Sequence, residues 1–149
     1  MAEALEHLDP ILRTKLHRPP VPEDFVCRDR LHEQMNLGLT TPLTLVSAPA
    51  GYGKSTLVSD WIESLDHPCS WVSLDDPESD IQLFLAYVLA AVQTAFPGSC
   101  EQTTELLGAR DLAPVPVLAR SLANDLDTLD TDFVLALEAQ QAMQCSSYG

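Results

Sequence analysis

Between Asp29 and Leu39 the apolar side chains Leu31, Met35 and Leu39 recur at the spacing that lines one face of a helix, and the segment ends near Gly38, ahead of Thr40-Thr41-Pro42. Leu43-Thr44-Leu45-Val46-Ser47 follows. It is short, β-prone and apolar on both faces, which predicts a strand inside a parallel sheet covered by helices on each side. Leu57, Val58, Trp61, Ile62 and Leu65 mark one stripe of a helix that starts at about Lys54 and stops at Pro68. Ser70-Trp71-Val72-Ser73-Leu74 reads as a second strand, and the polar run from Asp75 to Asp80 as a turn that caps the next helix, with a place near a bound phosphate as the less favoured reading. That helix is predicted from about Ser79 to Ala95, where Pro97-Gly98 ends it; another is predicted over Val115 to Leu126. Phe133-Val134-Leu135-Ala136-Leu137 is the last predicted strand. Strands alternating with helices argue an α/β fold with a parallel sheet flanked by helices. Ahead of all this, Pro10, Pro19, Pro20 and Pro22 predict an extended lead-in over residues 1–24.

The segment Ala48-Pro49-Ala50-Gly51-Tyr52-Gly53-Lys54-Ser55 matches G-x-x-x-x-G-K-[ST] everywhere but its first position, where alanine, also small, replaces glycine. A phosphate chain needs several backbone N–H groups turned inward. Gly51 and Gly53 supply the permissive dihedrals, and the following helix adds the positive end of its dipole. In such a loop Lys54 reaches the β- and γ-phosphates and Ser55 ligates Mg²⁺. The strand before the loop and the amphipathic helix after it are the context this chemistry requires. The nucleotide-contacting set is therefore Ala48, Pro49, Ala50, Gly51, Tyr52, Gly53, Lys54, Ser55 and Thr56. The residues alone do not choose between ATP and GTP. A second element, a carboxylate at the end of a later apolar strand, falls to Glu138, which follows the 133–137 strand. The acid that would polarise the attacking water beside it is replaced by Ala139. Glu138 is thus a candidate metal ligand at the Walker B position or simply a solvated glutamate. Arg28 and Arg30 precede the loop strand, where either serves the nucleotide or the surface.

Charge narrows the partners. The 149 residues carry 22 acids against 8 lysines and arginines, a formal net charge of −14, and only two lysines, Lys15 and Lys54. Such a chain repels polyanions, so neither direct nucleic-acid binding nor an anionic membrane is expected of it. Residues Met1 to Asp9 contain three acids and no signal-peptide pattern, and the apolar run from Ile81 to Val92 is too short to span a bilayer. A cytoplasmic setting follows. Cys27, Cys69, Cys100 and Cys145 lie far apart, form no C-x-x-C pair and cluster with no histidine in sequence, so they read as reduced thiols rather than a zinc site.

Thr14-Lys15-Leu16-His17-Arg18-Pro19, Arg28-Asp29-Arg30-Leu31, the run from Leu43 through Leu57, then Trp71-Val72-Ser73-Leu74-Asp75, Phe84-Leu85-Ala86-Tyr87 and Ala91-Val92-Gln93 together resemble the amino terminus of MalT-like, LuxR-family ATP-dependent transcriptional activators, P-loop NTPases of the STAND class. The resemblance covers about residues 11 to 137. It implies an AAA-like P-loop module that binds ATP and Mg²⁺, a helical sensor region, a carboxy-terminal helix-turn-helix and self-association of the full-length regulator. It also implies that Val26 and Arg28 lie near the adenine. The family reads two aspartates and then Tyr-His where this chain reads Glu138-Ala139-Gln140-Gln141, and there the likeness stops.

The expected organisation is a lead-in over 1–24, the amino-terminal part of a P-loop NTPase domain over 25–138, truncated after the Walker B strand, and an unrelated tail over 139–149. The expected function is nucleotide binding without hydrolysis or DNA binding by this fragment alone. A small P-loop enzyme such as a kinase, and an inert gene remnant, are the alternatives. In the P-loop class the strand between the loop strand and the Walker B strand comes later in sequence. A chain lacking it is expected to leave unpaired edges and to be molten or aggregation-prone.

Overall fold

The computed structural model describes residues 11–74 and 80–139. The acidic turn residues Asp75, Asp76 and Glu78 and the tail from Gln140 onward lie outside this range. Two units divide the chain, one of residues 18–66 and one of residues 1–17 with 67–149.

The unit spanning 18–66 is built on two helices, α1 (Asp29–Leu37) and α2 (Lys54–Ser64). α1 ends at Gly38, as the sequence predicts, and passes into a single 3₁₀ turn, Gly38–Thr40. Trp61 and Ile62 of α2 are buried, and so is Met35 of α1. Trp61 Nε1 donates to Asn36 Oδ1 at 2.8 Å, tying the two helices together. Arg18 reaches α2 from the lead-in, donating to the Ser59 carbonyl at 2.6 Å. A β-carbon at Gly38 would stand 2.1 Å from Thr44 Oγ1, so only glycine lets the chain fold back this closely.

The predicted strand Leu43 to Ser47 is not one. No ladder forms there, and Leu43 and Leu45 are 82% and 85% exposed. β propensity describes how a residue suits a pleated, half-buried surface, and a strand exists only with a partner to complete its hydrogen bonds. Among the described residues this segment has none.

The other unit holds β1 (Cys69–Leu74), α3 (Ile81–Ala95), α4 (Glu101–Gly108), α5 (Val115–Asp127) and β2 (Val134–Ala139). β1 and β2 pair in parallel, Cys69 with Val134 through Leu74 with Ala139, and the helices fill the crossover that a parallel pair requires. Asp80 Oδ1 accepts from Gln82 and Leu83 N–H and so starts α3. The core is formed by Leu85, Val88, Leu89 and Val92 with Cys100, Leu107 and Leu118. Val72 of β1 packs in a second cluster with Tyr87 and Ala91 of α3.

The sequence pattern does not foresee α4. Its buried residues include Thr103 and Thr104, which carry no hydrophobic signal. Asp125 of α5 supplies what α4 lacks as a cap, accepting from Thr103 N–H at 2.9 Å and lying 2.7 Å from the Thr103 hydroxyl.

Val134 N–H donates to Pro68 O, which in a parallel ladder turns Val134, Ala136 and Glu138 toward β1 and Leu135 and Leu137 away from it. In the 149-residue chain the amides of Ala136 and Glu138 are expected to exchange with solvent at least about tenfold more slowly than that of Leu137, because only the former join the ladder. Equal exchange along the strand, read by NMR, would contradict this register.

Candidate functional site

Residues 48–55 form a loop whose shape rests on its two glycines. Gly51 and Gly53 hold φ of +85° and +76°, a left-handed conformation that other residues enter at a cost of about 1–2 kcal/mol. Nothing stands within 4 Å of a β-carbon at either position, so the space over the loop is open. Tyr52 N–H closes a turn onto Pro49 O at 3.4 Å. Gly53 is the residue from which α2 starts, and no side chain caps that helix. The first N–H groups of the helix, at Lys54, Ser55 and Thr56, thus lie at a terminus with its dipole unopposed by a capping oxygen.

Lys54 folds back across the loop, and its Nζ donates to the carbonyl of Ala48. The first and seventh residues of the motif are thereby joined. Ala48, Lys54, Ser55 and Thr56 are half-buried; Pro49, Ala50, Gly51, Tyr52 and Gly53 are exposed. The arrangement is local, set by two glycines and one helix, and forms although the residues before it make no ladder.

Val26 and Arg28 belong to the same unit as the loop. Val26 is 76% exposed, and Arg28 is the exposed residue that precedes α1, its carbonyl accepting from Leu31 and His32 N–H. Between them Cys27 comes within 4.8 Å of Asp60, six residues along α2 from Lys54. Segment 26–28 therefore runs beside the helix that the loop opens.

Glu138 belongs to the other unit and lies inside β2 rather than just beyond the strand, because the ladder to β1 continues through Ala139. It is half-buried, and its Oε2 accepts from Ser73 Oγ at 3.1 Å; Ser73 Oγ in turn accepts from Trp71 Nε1 at 3.0 Å. A strand-end glutamate dissolved in solvent is thus not what the fold holds. The Trp-x-Ser spacing in β1 is the sequence signal for this relay, since it puts Trp71 and Ser73 on one face opposite Glu138.

Two thiols are shifted. The Asp29 carboxylate, accepting from Cys27 Sγ at 3.3 Å, pushes the Cys27 pKa up, with Asp60 adding to it. Burial does the same for Cys100.

No family model matches the chain. Curated relatives do. It is 31% identical over 128 residues to the HTH-type transcriptional regulator MalT of Yersinia pestis (strain Pestoides F), and equally to that of Yersinia pseudotuberculosis serotype O:1b (strain IP 31758). Against MalT of Yersinia enterocolitica serotype O:8 / biotype 1B the identity is 30%. Each match covers 86% of this chain and 14% of the relative. Over most of its own length the chain is thus similar to MalT-type regulators. It spans about one-seventh of the length of those relatives. Among the described residues, no helix is long and apolar enough to cross a membrane.

Proposed function

We propose that the chain binds ATP with Mg²⁺ through Ala48–Thr56, as the nucleotide-binding part of a MalT-like transcriptional regulator. The observation that carries this is the loop itself. Left-handed glycines at 51 and 53 run into the uncapped start of α2, with Lys54 drawn over the loop. Backbone N–H groups at a helix terminus, beside a lysine in open space, are what a phosphate chain needs.

The residues present also fit Mg²⁺. Ser55 sits in the first turn of α2, where its hydroxyl would hold the ion. The ion would screen the charge of the phosphates; Lys54 holds them and the loop amides orient them. On this reading Val26 and Arg28, beside α2, are the residues on the adenine side. With Ala139 following Glu138, no carboxylate stands next to it to order an attacking water, so binding without appreciable turnover is expected. The net charge of −14 sets this segment apart from the part of such a regulator that would contact DNA. Self-association and a cytoplasmic setting belong to the same reading of the whole regulator.

A fluorescent ATP analogue titrated into the purified chain, with and without excess EDTA, tests the assignment. Saturable binding that weakens on chelation and yields to unlabelled ATP, with no phosphate release above a protein-free control, is the expected result. Absence of saturable binding by a folded chain would sink it. Phosphate release that depends on Lys54 would refute the expectation of no turnover.

A further inference from the structure

We propose that Cys27, His32 and Asp60 form a second site, for a divalent cation of the zinc class, distinct from the Mg²⁺ position at Ser55 and independent of the nucleotide reading. Sequence spacing hides it, since one ligand precedes α1, one lies within it and one lies on α2. The fold brings a thiol sulfur, an imidazole nitrogen and a carboxylate oxygen within 4.8 Å of one another.

The second observation concerns the pair His32 Nε2 and Asp60 Oδ2. They lie 2.9 Å apart and are both cut off from solvent, yet they make no aligned hydrogen bond with each other or with any other group. A plain histidine–aspartate pair would aim the N–H at the oxygen. Two buried atoms able to ligate a metal, converging without that alignment, are arranged to share something between them.

Zinc takes nitrogen and oxygen ligands at about 2.0–2.2 Å and thiolate at about 2.3 Å, in tetrahedral array. Those lengths put N and O about 3.3 Å apart and S about 3.6 Å from either. The 2.9 Å pair has only to open slightly, and the thiol to close in from its position within 4.8 Å.

The donor set selects the ion. Thiolate and imidazole favour zinc-like metals over Mg²⁺ and Ca²⁺, which prefer all-oxygen sites. On binding, the Cys27 thiol gives its proton to solvent, and thiolate and carboxylate together balance the two positive charges. Three protein ligands leave a fourth position for water. Cys27 is exposed while the His32 and Asp60 side chains are 14% and 22% exposed, so the ion enters past the thiol. Bound there, it clamps the Val26–Arg28 segment to α2.

The test is Co²⁺ binding to the reduced, EDTA-treated 149-residue chain, followed by Zn²⁺ competition. Expected are the intense visible bands of four-coordinate cobalt and a near-ultraviolet thiolate-to-cobalt band, both removed by stoichiometric Zn²⁺. C27S should abolish the charge-transfer band and C69S should leave it intact. H32Q and D60N should each weaken Co²⁺ binding by at least about tenfold, as even outer-shell losses do. Cys27 is exposed, so C27S keeps the parent far-UV spectrum and decides the matter if the other variants misfold. A chain that takes up no Co²⁺, or a charge-transfer band that survives C27S, would overturn the site and leave a histidine–aspartate pair beside a surface thiol.

Discussion

Lys54→Ala is expected to lower the affinity of the chain for ATP, on the reading proposed above, by at least about tenfold. The lysine is one of only two in the sequence, and its Nζ crosses the loop to the Ala48 carbonyl. Phosphate oxygens lying over Gly51 and Gly53 would take that carbonyl's place as the acceptor. A charge-assisted contact contributes roughly 1.5–3 kcal/mol, and about 1.4 kcal/mol is a factor of ten in binding. The mutation leaves the left-handed glycines and the helix dipole in place, so a weak residual affinity is expected. Parallel titrations of parent and variant with the same ATP analogue measure the ratio. The comparison is informative because Lys54 lies in no buried cluster, so the variant keeps its fold; its thermal midpoint should stay near that of the parent. Equal affinities would show that the phosphates are held elsewhere or not at all.

That loop was readable from sequence because its geometry is local. Glycines at 51 and 53, followed at once by a helix, need no distant partner to adopt positive φ. The helices with an apolar stripe, α2, α3 and α5, were readable for a related reason, since their burial is written in the spacing of their own residues. β1 and β2 were also legible within a residue or two, and their parallel pairing agrees with the alternating α/β pattern.

What depended on tertiary partners was not legible. Leu43 to Ser47 has the composition of a strand, but a strand is a property of two segments and composition reports on one. α4 buries threonines whose partner, Asp125, lies 22 residues away. The apolar run ends at Leu137, which puts Glu138 just beyond the strand in sequence, whereas the hydrogen-bond ladder continues two residues further. The Cys27–His32–Asp60 cluster was hidden for the same reason as the cap on α4: its members are neighbours only after two helices have packed.

Among the described residues Leu43 to Ser47 pairs with no strand, and packing at Leu118 tests whether the chain is molten as expected. Leu118 is fully buried on α5 within the cluster formed by α3 and α4 residues. Removing a leucine side chain from a tight core forfeits its transfer free energy and leaves a cavity, together about 2–5 kcal/mol, against a net stability of about 5–15 kcal/mol. Leu118→Ala is therefore expected to shift a urea transition of the chain strongly, by about 2–5 kcal/mol. Val117→Ala, one residue earlier and 44% exposed, should change it by less than about 0.5 kcal/mol. In a molten state side chains are not held in fixed sites, and the two substitutions would then differ little. The contrast between neighbouring positions thus reads packing directly, without reference to secondary-structure content, which a molten chain keeps. Two sharp transitions separated by several kcal/mol would place the chain's cooperativity in the β1–α3–α4–α5–β2 unit. Broad, superimposable transitions for parent and both variants would show that the loss of pairing at Leu43 to Ser47 reaches the whole chain.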